Sequence, residues 1–391
     1  MTVAIVAGSD AGHAFPALGL ATALREAGDE AIVYTGDRWT SIAARRGIEV
    51  RPLPGLAARP GDDDDDAGAK LSVRAARMAL ELAPELALAG VDLVISDVIT
   101  VAGGWAAELA GCPWIELSPH PLYEQSRGLP PIGAGLAPGV RLRGRLRDAV
   151  LRAGADVAVA KGARQRRAAR ASIELPADAA PIARLVATLP ALEEWRPDWP
   201  ERTHLVGPLL FEPTDEVFDR PTGDGPLIVV APSTATTGAG DMGATVLAAL
   251  AELQQSRPLR VVYSALERPS GGQAPTGLVA ATARQDEVLA DADLVVCGGG
   301  HGMLAKSLQA SVPVVTVPGG GDQWELANRV QRLGCGRLVR PVTTASLTEA
   351  IVAVLGDPSY ADAARRVSES RRSAVDPVAV VHRSWRMAAC V

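Results

Sequence analysis

TARQDEVLADADLVVCGGGHGMLAKSLQASVPVVTVPGGGDQWELAN, running from Thr282 to Asn328, decides the fold of this 391-residue chain. Asp291–Ala292–Asp293 leads into the apolar run Leu294–Val296, which reads as a short buried strand. Gly298, Gly299 and Gly300 break that strand, and Met303 to Gln309 has the spacing of a helix. A strand, a glycine turn and a helix N-terminus together form an anion site, because the first-turn N–H groups and the helix dipole face the ligand. A second strand, Val312 to Val317, ends in Pro318–Gly319–Gly320–Gly321 and delivers Asp322–Gln323 to its carboxyl edge. Open α/β sheets bind ligands at that edge, although an ordinary βα turn has the same local pattern.

The order of features across this segment resembles the donor-binding signature of nucleotide-sugar glycosyltransferases of the GT-B fold, in the UDP-glycosyltransferase-like family 1. Gln285 matches the family's early Gln, Gly300 its turn glycine, and Asp322–Gln323 the pair that grips sugar hydroxyls. The resemblance places Gly299, Gly300, His301 and Gly302 around the donor's diphosphate. Four positions depart from the pattern. Thr282 stands for the base-stacking Trp, Gly298 for the diphosphate-binding His, Met303 for a Ser or Thr, and Lys306 for the ribose-holding Glu. His301, three residues past Gly298, is a substitute phosphate donor. Lys306, read as lying in the first turn of an anion-binding helix, opposes the dipole and needs a partner, either the donor's phosphates or a nearby carboxylate.

The N-terminus opens as βαβ: an apolar run to Ala7, a turn at Gly8 to His13, helical spacing from Pro16 to Ala27, a stop at Gly28 and a strand from Glu30 to Tyr34. That order predicts a parallel sheet. The turn lacks GxGxxG and no acidic residue ends the second strand, which argues against a dinucleotide cofactor. GHAFPALGLATALREAGDEAIVYTG is similar to the family's opening. The resemblance makes His13 the general base that takes the acceptor hydroxyl's proton, against the alternative of a His that caps the first helix. Val91 to Ile95 reads as a strand with Asp97 at its end, and the family places there the carboxylate that orients the base. Pro113 to Leu117 is the next strand. The Pro- and Gly-rich loop Ser118 to Gly139 corresponds to the acceptor wall, with His120 and Tyr123 as acceptor-binding candidates and His120 as a reserve base.

Five consecutive aspartates, Asp62 to Asp66, read as a solvated mobile loop, since adjacent side chains do not converge on a metal. Nine arginines and one lysine lie between Arg141 and Arg170, opposed only by Asp148 and Asp156. Such a stretch is either a solvated face or a peripheral contact with anionic lipid. Leu185 to Leu192 reads as the last strand of the first domain, EEWRPDWPER as a stiff connector, and THLVGPLLF as the crossing. The second sheet opens at Leu227 to Ala231. Ser233 and Thr234 begin a second phosphate-type loop, and further strands follow at Leu259 to Tyr263 and Gly334 to Val339.

With 48% hydrophobic and 21% charged residues the chain has the composition of a soluble globular protein. Its net charge of −6 argues against a general nucleic-acid binder. The four cysteines are widely spaced, and no apolar run approaches the ~18 residues that span a bilayer. With no signal peptide in the sequence, a cytoplasmic location is expected. The expected architecture is α/β, with two facing Rossmann-like domains, 1–204 for the acceptor and 205–375 for the donor, and 376–391 returning to the first. The resemblance implies an inverting, metal-independent hexosyltransferase without cofactor, as monomer or homodimer, moving a hexose from a nucleotide diphosphate sugar to a hydroxyl of a hydrophobic small molecule or lipid. The rivals are a GT-B sugar-nucleotide epimerase and a binding or regulatory protein on a decayed scaffold.

Overall fold

The computed structural model describes residues 1–60, 62, 66–177, 179–233, 239, 242–265 and 273–389. Apolar runs buried on both faces form two parallel sheets. The first contains β1 (Thr2–Val6), β2 (Glu30–Thr35), β3 (Glu49–Pro52), β4 (Leu93–Asp97), β5 (Trp114–Ser118), β6 (Ala183–Val186) and β7 (Thr203–Leu205). Its order is β3-β2-β1-β4-β5-β6-β7. The second contains β8 (Leu227–Ala231), β9 (Arg260–Ser264), β10 (Val279–Ala281), β11 (Leu294–Cys297), β12 (Val314–Thr316) and β13 (Gly336–Leu338), in the order β10-β9-β8-β11-β12-β13. Helices cover both faces of each sheet, so the central strands are continuous apolar runs. Val3, Ile5, Val33, Ile95 and Ile115 anchor one face of the first sheet, and Val229, Val295, Val314 and Leu304 one face of the second.

The Ala11–Glu26 helix follows β1, with Asp10 at its N-cap and Gly28 in the left-handed region just beyond it. Gly19 lets this helix pass the backbone of the connecting segment, where an added Cβ would lie 2.8 Å from the Leu210 carbonyl oxygen. Two expectations shift. The stretch Leu185 to Leu192 is not the first sheet's last strand: it holds only the end of β6 and then a short 3-10 turn at Pro190–Leu192, and Thr203–Leu205 supplies the edge strand β7. The helix after β11 begins at His301 rather than Met303, with Gly300 at its N-cap.

The arginine-rich stretch is one long helix, Leu142–Ala171, with Leu142, Leu146, Val150 and Val157 all exposed. Several of its cations are already paired: Arg147 with Asp148, Lys161 with Asp66, and Arg170 with Glu108. Of the aspartate run, Asp62 is held by Arg77 at 2.9 Å, so it is anchored rather than free; residues 63–65 lie outside the described residues. No helix among the described residues is long and apolar enough to cross a membrane.

The Pro377–Ala389 helix packs on the first sheet's core through Val380 and Val381, and His382 Nε2 meets Asp29 Oδ2 at 2.6 Å. Truncation at Asp376 is therefore expected to destabilise the first domain by about 3 kcal/mol, from two buried valines at roughly 1.5 kcal/mol each. Calorimetric melting that leaves the lower transition unmoved would show the helix to be dispensable.

Candidate active site

Both sheets change winding direction between adjacent strands, and the crevice of a doubly wound sheet opens at that point. In the first sheet these strands are β1 and β4, paired with Val6 opposite Ser96. The loop after β1 leads to His13, and Asp97 is the last residue of β4. Two residues 84 positions apart thus meet, with His13 Nδ1 2.7 Å from Asp97 Oδ2. Asp97 is 1% exposed. Its other oxygen accepts the Ile99 and Thr100 N–H groups at 3.0 and 3.2 Å, which fixes the carboxylate. His13 donates Nδ1–H to it and retains the Nε2 lone pair. Burial alone lowers the His13 pKa, but the Asp97 charge and hydrogen bond, helped by Asp10 and Asp322, outweigh it and raise the pKa above its ordinary value. His13 lies inside the helix, and no side chain caps the N-terminus, so the capping alternative fails.

His120 and Tyr123 stand beside this pair. The His120 ring is perpendicular to His13 at 6.2 Å and stacks on Tyr123 at 4.3 Å. His120 Nδ1 donates to the Pro121 carbonyl at 2.8 Å, and burial, with His13 nearby, lowers its pKa. Tyr123 is also pushed up in pKa by burial, and its hydroxyl has no partner among the described residues.

In the second sheet the winding reverses between β8 and β11, and their loops converge. Gly298 touches Ser233 so closely that an added Cβ would sit 2.8 Å from the Ser233 Cβ. A histidine at 298 is therefore excluded by the neighbouring loop. Gly299 has φ +78°, and Gly300 caps the helix. Gly302 is exposed in the first turn. Asp322 and Gln323 open the Asp322–Leu333 helix. Asp322 is exposed and acts on His13 across the cleft. Gln323 differs: its amide is buried, donating to Ser233 Oγ at 2.9 Å and accepting from the Gly319 N–H at 3.1 Å. It ties two donor-side loops together instead of projecting into the cleft. Thr234 lies outside the described residues.

His301 turns back to the first domain, with Nε2 2.9 Å from Thr188 Oγ1, and burial pushes its pKa down to about 3. It is a neutral ring and brings no positive charge to a phosphate. Lys306 falls in the last turn of its helix, where a cation suits the dipole. Its ammonium meets Glu212 Oε1 at 2.6 Å and Gln285 Oε1 at 3.0 Å. The carboxylate partner is thus the correct alternative, and Gln285, which also donates to Ser264 at 3.0 Å, is engaged in the same cluster. Sequence reading missed Glu212 and Thr188, because each acts through a partner about a hundred positions away.

Residues 244–387 match the family model of the erythromycin biosynthesis protein CIII-like C-terminal domain. The chain is 26% identical to 4'-demethylrebeccamycin synthase of Lentzea aerocolonigenes, over 95% of this chain and 96% of that one. Its homologues and structural neighbours are glycosyltransferases. Its fold superposes on the glycotransferase of kitacinnamycin with TM-score 0.74, at 22% identity and 98% coverage of both chains. CalG4, the calicheamicin glycosyltransferase, superposes with TM-score 0.69, at 21% identity, covering 95% of this chain and 94% of that one. The fold, two sheets of parallel strands with helices in two domains, is the GT-B fold of these natural-product glycosyltransferases.

The raised pKa has a direct consequence. Protonated His13 stabilises the fold below about pH 6.5, and that contribution is lost as pH rises through the higher folded pKa. An NMR titration of the His13 ring is expected to place its midpoint above 6.5 in the wild type and lower in Asp97→Asn. Equal midpoints would remove Asp97 as the cause.

Proposed function

We propose that the chain transfers a hexose from a nucleotide diphosphate sugar to a hydroxyl of a small, largely apolar acceptor, in one inverting displacement. The observation that carries this reading is the His13–Asp97 pair at the winding reversal of the first sheet, with Asp322 of the second domain within electrostatic reach. His13 Nε2 takes the acceptor's proton while Asp97 holds the ring and stabilises the imidazolium. Donor phosphates lie at the N-terminus of the His301–Gln309 helix, among the amides of Gly299, Gly300 and Gly302, so that fixed dipoles meet the charge that develops on the leaving diphosphate. No metal or cofactor enters the proposal. Asp322 reads the sugar, and Gln323 with Ser233 keeps the two loops beneath it in place. His120 and Tyr123 line the acceptor side. Residues 1–204 hold the acceptor and 205–375 the donor.

His13→Ala is expected to lower turnover by roughly 10²- to 10⁴-fold, with affinity for free nucleoside diphosphate unchanged by calorimetry, whereas Asp322→Ala loses transfer and keeps diphosphate binding. Full turnover by folded His13→Ala protein would sink the base assignment.

The proposal also includes a cytoplasmic protein that touches an anionic membrane through the Leu142–Ala171 helix. The support is the exposed stripe of Leu142, Leu146, Val150 and Val157 beside Arg143 and Arg145, on the same helix. Sedimentation with phosphatidylserine vesicles, but not with phosphatidylcholine vesicles, is the expected result, and its absence would leave the helix a solvated face.

A further inference from the structure

The loop between β5 and the Leu142–Ala171 helix is held by two different domains. Its first half is fixed by the first domain's own connector. Glu193 accepts the Leu122 N–H at 2.6 Å, Arg196 donates to the Leu122 and Glu124 carbonyls at 2.6 and 2.9 Å, and Asp198 accepts from Ser126 and the Arg127 N–H. In the second half Gly133 to Gly135 are held from across the cleft, whereas the Ala137 carbonyl accepts from Arg147 and the Gly139 N–H donates to Asp148, both at 2.7 Å and both within the first domain. Glu325 Oε2 accepts the N–H groups of both Gly133 and Gly135, at 3.2 and 2.9 Å. On either side of it the Trp324 indole N–H reaches the Ala134 carbonyl and Arg332 the Gly135 carbonyl.

Glu325 is 4% exposed, and its other oxygen accepts from Arg329, itself 3% exposed, at 3.2 Å. Arg329 continues to the Leu192 carbonyl of the first domain at 2.9 Å. Asp322, Glu325, Arg329 and Arg332 are spaced by three and four residues and so lie along one side of the Asp322–Leu333 helix. The helix that presents the proposed sugar-reading Asp322 therefore also grips the proposed acceptor wall. Close approach is built into the loop as well. Gly133 and Gly135 have φ of +85° and +66°, and a Cβ on Gly135 would lie 2.4 Å from the Trp324 indole nitrogen and 2.6 Å from the Asn328 amide nitrogen. Only glycine fits there.

We propose that Glu325 is a positioning residue that latches residues 133–135 onto the donor-side helix, so that the acceptor wall is complete only when the two domains are closed on each other. A carboxylate suits the role because it accepts two N–H groups with one oxygen while the other keeps its arginine. The helix is rigid, so opening the cleft carries all four contacts away together, and the glycine-rich half-loop has no side chains that would replace them. The first half, with His120 and Tyr123, stays with its own domain. The link to acceptor binding rests on the function proposed above; the latch itself does not.

Hydrogen exchange on the full chain separates the two. In Glu325→Ala, exchange of the Gly133 and Gly135 amides is expected to rise about tenfold while that of 121–129 stays within twofold of wild type. Gly135→Ala, which leaves every charge in place, is expected to give the same pattern. Equal acceleration of both halves would mean general destabilisation and overturn the latch, as would unchanged exchange at residues 133–135 in both variants. In transfer assays both variants should raise the acceptor KM about tenfold and leave TDP affinity within twofold of wild type. An unaltered acceptor KM with a loosened half-loop would overturn the positioning role. A wild-type protein that binds no nucleoside diphosphate would overturn the functional reading, while the exchange result would still decide the latch.

Discussion

Parallel pairing across two winding reversals is the constraint on which the site depends. Strands β1 and β4 are neighbours in space but lie on opposite arms of the chain's path, so no helix or loop fills the crevice between their carboxyl ends. The register of that pair, Val6 opposite Ser96, puts the residue that ends β4 level with the turn that begins the first helix. Strands β8 and β11 repeat the arrangement, and there the space between the two loops is closed so tightly that only glycine stands opposite Ser233. Each domain thus presents one opening, and the proposed chemistry lies where the two face each other.

Burial then differentiates three imidazoles that are otherwise the same group. His13 has a fixed carboxylate and is raised in pKa; His120 has only a backbone carbonyl and is lowered; His301 is buried further and falls to about 3. The surroundings push the three rings apart in proton affinity, and environments that separate like groups in this way are how such groups come to differ in role. His120, whose Nδ1–H donates to the Pro121 carbonyl, is the ring against which Tyr123 stacks.

The strands that could be read from the sequence are the ones buried on both faces, because there an apolar run is compulsory. Leu93–Asp97, Leu227–Ala231 and Leu294–Cys297 announce themselves. Glu49–Pro52 and Val279–Ala281 do not, since edge strands are part-exposed and their composition carries little signal. The donor stretch was legible because its glycines and Asp322–Gln323 sit close together in sequence. The pairing of His13 with Asp97 came only through family resemblance. The bonds of Gln323 to Ser233 and of Glu325 to Gly135 span 90 and 190 positions, and no local pattern encodes them.

The departures from the family pattern are best judged by what surrounds them. A scaffold losing its function accumulates changes that nothing answers, and a buried unanswered charge is costly. Here three of the four changes have a fitted neighbour in the interior. Gly298 makes room for Ser233, whose hydroxyl accepts from Gln323. Met303 packs against the apolar core of the second domain. Lys306 is 9% exposed and is met by Glu212, whose second oxygen also takes the Gln285 N–H at 3.1 Å. Because Glu212 belongs to the segment joining the two sheets, this pair fastens the connector to the donor-side helices. The substitutions therefore form a coherent alternative packing of the donor site, in which positions that depart from the pattern hold the loops and the connector in place.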